Sequence, residues 1–166
     1  MRILFTVLLL LGILTGCGAH TSLETVNDEM LEYVEPAACS IELALPEGAA
    51  EPVMESVSGG TLYSCDGFWV STCTMPGGDL DRTFQEITGF GKGSLRYMET
   101  RQGNLKRYDC AWTAAGEVKQ QVCRTVILDD GKNHYAVTAS CDFDLAGVLQ
   151  EDIQSVLDSV SLTDTD

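Results

Sequence analysis

The chain has 166 residues, of which 25 are acidic and 10 are basic, so its formal net charge is −15. This length suits one domain with a sizeable buried core. The excess of acidic residues argues against nucleic acid as a partner, because phosphate binding needs clustered Lys and Arg side chains. A hydrophobic content of 45% also argues against a wholly disordered chain.

The N-terminus has the pattern of an export signal. Arg2 supplies one positive charge, and residues 3–14 are almost unbroken apolar sequence. This run is too short to cross a hydrocarbon core, which needs about 20 residues. A basic start followed by a short apolar run is typical of a secretory signal peptide, which we assign to residues 1–16.

The apolar run ends in Leu14-Thr15-Gly16-Cys17, which resembles the lipobox of bacterial lipoproteins. The resemblance implies cleavage after Gly16 and attachment of diacylglycerol to the sulfur of Cys17. It therefore predicts a protein anchored by lipid in the cell membrane and facing away from the cytoplasm, with the lipid bilayer as a partner. Ordinary secretion, with Cys17 as a free or paired thiol, is the alternative.

Residues 17–37 are predicted to form the lipidated N-terminus and an acidic tether. After Cys17 the segment contains five acidic residues and no Lys or Arg. An unstructured spacer ending at Pro36 is one interpretation. Apolar residues at spacings of three and four also allow a short amphipathic helix.

Residues 38–162 are predicted to form one globular domain, followed by a tail at residues 163–166. Strand-like runs alternate with turn signals at Asp66-Gly67, Gly116-Glu117 and Asp130-Gly131. The predicted strands are 39–45, 61–65, 68–73, 94–101, 105–114, 118–128 and 134–141.

Two helices are predicted among these strands. The first spans residues 80–87 and ends at Gly89, and the second runs from Asp144, as its N-cap, to about Val160. The fold class is therefore α+β, with a mainly antiparallel sheet of about six to seven strands flanked by two helices.

The order of these elements resembles the PsbP-like group of sandwich folds across roughly residues 38–162. The matching parts are the first strand closed by residues 45–48, the helix before Thr88-Gly89-Phe90, the late hairpins and the final helix closing at residues 157–162. The resemblance implies a sandwich fold and a binding or accessory role.

The chain has seven cysteines, and six are left if Cys17 carries lipid. They are Cys39, Cys65, Cys73, Cys110, Cys123 and Cys141. An even set in an exported domain predicts up to three disulfides, and unpaired buried thiols are the alternative. A two-residue turn at Gly116-Glu117 places Cys110 opposite Cys123 and makes them a candidate pair. The connectivity of the other four stays open.

No metal site or cofactor is predicted. The cysteine spacings are not those of structural zinc sites. A calcium-like loop beginning at Asp142 has Ala146 and Ile153 where acidic or amide ligands are required. The glycine-rich loop at residues 89–94 lacks a Lys followed by Ser or Thr. His134 is predicted to be an exposed residue beside a turn.

Aromatic residues on the strands provide a possible binding face, made of Tyr108, Trp112 and Tyr135. Core packing is the alternative for the same residues. The predicted function is a binding or accessory module for an unknown protein or small molecule. The alternatives are an exported, hydrolase-like enzyme and a thiol-redox protein with an exposed cysteine pair.

Overall fold

A computed structural model describes residues 39–50, 52, 54–55, 60–116 and 119–165. The predicted signal peptide, Cys17 and the acidic tether lie outside these residues. The strands are β1 (Cys39–Glu42), β2 (Met54–Glu55), β3 (Thr61–Ser64), β4 (Phe68–Pro76), β5 (Tyr97–Gln102), β6 (Leu105–Ala115), β7 (Gln120–Asp129), β8 (Asn133–Asp142) and β9 (Ser161–Asp164). Within the described residues, the α-helices are α1 (Leu80–Thr88) and α2 (Gln150–Asp158).

The strands form two antiparallel sheets. The larger has seven strands in the order β2-β3-β4-β8-β7-β6-β5, and β1 pairs with β9 in the smaller one. Short 3-10 turns occupy Lys92–Ser94 and Phe143–Leu145. The predicted α+β class, with a mainly antiparallel sheet and two α-helices, is confirmed.

The β3–β4 hairpin forms at the predicted Asp66-Gly67 turn. Gly67 has a φ of 83°, a conformation that favours glycine. The Cys65 N–H donates to the Phe68 carbonyl at 2.9 Å and closes the turn. Local turn chemistry is sufficient to set this register.

The β6–β7 hairpin differs from the prediction by one residue. The Gly116 N–H donates to the Lys119 carbonyl at 2.9 Å, so residues 116 and 119 close the hairpin instead of 115 and 118. A Cβ at residue 116 would collide with the Lys119 carbonyl oxygen. Gly116 therefore permits the close approach of the two strands. It is the last paired residue before the turn, and not the first residue of the turn as predicted.

The apolar residues form a core on each face of the seven-stranded sheet. One core lies beneath α1 and contains Phe84, Tyr108, Cys110, Ile127 and Ala136. The other contains the buried residues Ile153, Val156 and Leu157 of α2, together with residues of β4, β7 and β8. Strand β8 lies between β4 and β7 and is largely buried, because both faces are covered along most of its length.

Helix α1 is positioned by a cap at each end. The Asp79 side chain accepts from the Arg82 N–H at 3.1 Å, and Gly89 ends the helix in the left-handed conformation. Between the caps, Phe84 is fully buried and contacts the rings of Tyr97 and Tyr108. The helix is therefore fixed over one end of the sheet.

The C-terminal region differs from the prediction in two respects. The α-helix begins at Gln150 and not near Asp144, which lies in the short 3-10 turn Phe143–Leu145 and pairs with Lys119 at 3.1 Å. The predicted tail at residues 163–166 is in part a strand, since Thr163 and Asp164 of β9 pair with Ser40 and Cys39. Neither α-helix has the length and hydrophobicity of a membrane-spanning segment, and the described residues contain no other candidate.

We expect Phe84→Ala to lower the free energy of unfolding by about 3–5 kcal/mol, because it leaves a cavity between α1 and the sheet. Phe90→Ala is the matched control: Phe90 is 44% exposed just beyond the same helix, and its loss should change stability by about 0.5 kcal/mol or less. Urea unfolding measures both values. Equal losses in the two variants would contradict this packing.

Candidate functional site

His134 belongs to a buried polar cluster at the end of β8. The residue is 1% exposed, so the prediction of an exposed histidine is wrong. Its Nδ1 lies 2.6 Å from Oγ1 of Thr83 on α1, and its Nε2 lies 3.9 Å from the Asp129 carboxylate. Lys106 pairs with the same carboxylate at 3.3 Å. Helix α1 covers His134 because it packs on this end of the sheet.

This cluster joins a hydroxyl, an imidazole and a carboxylate, as hydrolytic triads do, but its geometry is that of a structural contact. The Thr83 hydroxyl is buried and lies 3.2 Å from the Asp79 carbonyl, its partner one turn back. Burial lowers the pKa of His134, with the nearby carboxylates opposing the shift. The cluster therefore ties α1 to the β7–β8 hairpin, and its burial favours the neutral imidazole.

Beyond α1, the same face of the sheet carries both tryptophans of the chain in one cross-strand row. Trp69 of β4 pairs with Ser140 of β8, Ser140 pairs with Cys123 of β7, and Cys123 pairs with Trp112 of β6. We call these four residues the tryptophan row. Two small side chains therefore lie between two indole rings.

A groove of about 480 Å³ lies along this row, between α1 and the part of the sheet that α1 leaves uncovered. Glu86 and Ile87 of α1 form one border and Trp112 another. The floor and remaining lining come from residues with small or hydrogen-bonding side chains and two sulfur-containing residues: Ser71, Cys73, Thr74, Met75, Ala114, Gln121, Cys123, Thr138 and Ser140. Trp69 borders this floor through its pairing with Ser140 and is 42% exposed.

Hydrogen bonds fix the Trp112 ring. Its Nε1–H donates to Oγ1 of Thr125 at 3.2 Å, and Thr125 is itself joined to Thr138 at 2.9 Å. These contacts run across β6, β7 and β8 beneath the groove. They hold the indole in one orientation, so this wall is formed before any ligand binds.

The predicted binding face of Tyr108, Trp112 and Tyr135 is not one surface. Tyr108 is buried beneath α1, and Tyr135 is fully buried on the opposite face, where its hydroxyl donates to Asp130 at 3.0 Å. Only Trp112 borders the groove. Tyr108 and Tyr135 instead pack in the two cores, which is the alternative given for them above.

The cysteines are divided between the two faces of the sheet. Cys73, Cys110 and Cys123 lie on the α1 face, and the other three described cysteines, Cys39, Cys65 and Cys141, pack in the opposite core. All six are free thiols in the structure, as in the alternative of unpaired thiols, and none of the expected disulfides is present among them. Strand alternation separates thiols on opposite faces.

The candidate pair Cys110 and Cys123 fails because of the hairpin register. Cys110 pairs with Thr125, and Cys123 pairs with Trp112, so the two cysteines are diagonal neighbours. Diagonal positions are about 7–8 Å apart, beyond the usual span of a disulfide. Burial raises the pKa of each of these thiols to about 11, so neither is a thiolate nucleophile near pH 7.

Residues with metal-ligating side chains do not converge in the described part of the chain, where no group of three or more His, Cys, Asp or Glu could hold an ion. Asp142 and Asp144, at the calcium-like loop, lie within reach of Lys119 at 3.8 and 3.1 Å. An ammonium group beside these carboxylates disfavours a cation at this position.

No model of a known protein family matches the chain, and no curated protein matches it. Among solved structures, it is similar to the crystal structure of LpqN, a protein described as involved in cell envelope biogenesis of Mycobacterium tuberculosis. The two share 13% sequence identity, the match covers 79% of this chain and 87% of that chain, and the TM-score is 0.48. The function of this chain has to be inferred from its own residues.

The buried imidazole predicts a pH-dependent stability. Because the pKa of His134 is lowered in the folded protein, the unfolded chain binds the proton more readily, so the free energy of unfolding should fall as the pH drops below about 6.5. We expect His134→Asn to cost about 1–3 kcal/mol at pH 7.5 through the lost contact and to weaken this pH dependence. Urea unfolding at pH 7.5 and 5.5 measures both effects, with His20→Asn as control. If the free energy of unfolding changed equally between pH 7.5 and 5.5 in His134→Asn and in the unsubstituted protein, His134 would not be the source of the pH dependence.

Proposed function

We propose that the protein is a lipid-anchored extracytoplasmic protein whose globular domain acts as a binding or accessory module. The observation that carries the proposal is the position of Leu14-Thr15-Gly16-Cys17 directly after a basic residue and a short apolar run. Processing at this sequence would place the lipid on the first residue of the mature chain.

Burial of hydrocarbon in the bilayer would supply the free energy of the anchor. Each CH₂ group buried in the bilayer contributes about 0.8 kcal/mol, and two acyl chains hold a protein on a membrane where one chain is marginal. The diacylglycerol implied at Cys17 supplies two chains. The acidic residues of the predicted tether carry the same sign of charge as an anionic membrane surface, which favours holding the domain away from it.

The binding role is supported by two observations: the groove is open to solvent, and His134, Cys110 and Cys123, which could act in catalysis or redox chemistry, are buried. The groove is open, and a fixed indole borders it. His134, by comparison, lies beneath α1, so a hydrolase that used it would first have to move this helix off the sheet. The raised pKa values of Cys110 and Cys123 also weigh against the thiol-redox alternative.

Membrane fractionation of Cys17→Ser tests the anchor. The unsubstituted protein should sediment with membranes and gain the mass of an acylated N-terminal cysteine, because the lipid is attached to the sulfur. We expect Cys17→Ser to lose this mass and the lipid-dependent sedimentation.

Cys39→Ser is the matched control, since it removes another cysteine of the chain and leaves the lipobox intact. It should stay with the membranes. A mature protein whose Cys17 carries no lipid would refute the anchor.

A further inference from the structure

We infer that the tryptophan row and its groove bind a neutral glycan chain of several sugar units. The inference deepens the proposed function, on which it rests, by naming the class of ligand for an extracytoplasmic binding module. It is drawn from the aromatic residues, the floor and the charge of the groove.

The aromatic residues suit a ligand with flat apolar faces. Three strand spacings of about 4.8 Å separate Trp69 from Trp112 along the row, so their backbones lie about 14 Å apart. The C–H-rich face of a sugar ring can stack on an indole, and a single ring is too small to reach both tryptophans. The spacing therefore favours a chain of sugars.

The floor between the tryptophans is small and bears hydrogen-bonding groups. Ser140 and Cys123 leave room above the sheet where larger side chains would fill it. Hydroxyls of Ser71 and Thr138 and the amide of Gln121 border the same space. Ser71 donates to the Thr138 carbonyl at 3.5 Å and Thr138 bonds Thr125, yet each hydroxyl can form a further hydrogen bond. Sugar hydroxyls can both donate and accept such bonds, whereas a hydrocarbon chain offers none.

The charge of the groove favours a neutral ligand. Of the described residues that line it, Glu86 alone carries a charge, and its carboxylate is held by Arg82 at 2.7 Å. The groove thus offers no cation to a phosphate or carboxylate. The chain as a whole carries a net charge of −15, which would also repel an anionic polymer.

Intrinsic fluorescence gives a direct test, because both tryptophans of the chain belong to the proposed site. The lipid-anchored protein is titrated with cellohexaose and hexa-N-acetylchitohexaose, both neutral, in a zwitterionic detergent, since sugar detergents would compete. We expect at least one hexamer to change the emission and to bind more tightly than its monosaccharide. A hexamer of galacturonic acid, which is anionic, should not bind.

Trp69→Ala should weaken hexamer binding by about tenfold or more, because it removes one stacking surface. Trp69 is 42% exposed and belongs to neither buried core, so we expect Trp69→Ala to fold. Phe143→Ala is the control, since it removes another exposed aromatic residue that lies outside the groove. This variant should bind the hexamer as tightly as the unsubstituted protein does. Ser140→Tyr, which fills the floor, should also abolish binding.

Three results would overturn the inference. They are the absence of binding by both neutral hexamers at millimolar concentration, hexamer binding that Trp69→Ala and Ser140→Tyr leave unchanged, and Trp69-dependent binding of oleate in place of the hexamers. None of them alters the fractionation of Cys17→Ser. Failure of the ligand class is therefore distinguishable from failure of the proposed anchor.

Discussion

The pairing of β6 with β7 decides what the exposed part of the sheet presents. The pairing places Trp112 beside Cys123, and β8 and β4 then extend the row to Ser140 and Trp69. If the hairpin closed one residue earlier, Trp112 would move away from this row and Cys110 would face Cys123. The close approach of Gly116 to Lys119 favours the observed closure, because only glycine fits there.

Helix α1 divides this face of the sheet into a covered part and an open part. Phe84 fills the covered part, and Thr83 contacts His134, so the histidine becomes part of the core. The helix has only nine residues and ends at Gly89, which leaves the tryptophan row exposed beside it. The same short element therefore removes one candidate catalytic group from solvent and forms one border of a groove.

The sequence predicted those features that depend on neighbouring residues. The β3–β4 register follows from Asp66-Gly67, and the end of α1 follows from Gly89. The tryptophan row could not be predicted in this way, because β4 pairs with β8 across a long stretch of intervening chain. Burial of His134 likewise depends on a helix distant in sequence. In the β6–β7 hairpin, Gly116 indicated a turn. The sequence did not show whether glycine was required for a positive φ or, as the structure has it, for the absence of a Cβ.

The central structural claim is the pairing of β6 with β7, and cross-strand nuclear Overhauser effects test it most directly. Counting from the hydrogen-bonded pair at Gly116 and Lys119, Ala111 and Arg124 form a non-hydrogen-bonded pair, in which the Hα atoms of opposite residues lie close together. The structure predicts a strong Hα–Hα effect between Ala111 and Arg124. A strong effect between Cys110 and Cys123 in its place would contradict the register and, with it, the tryptophan row.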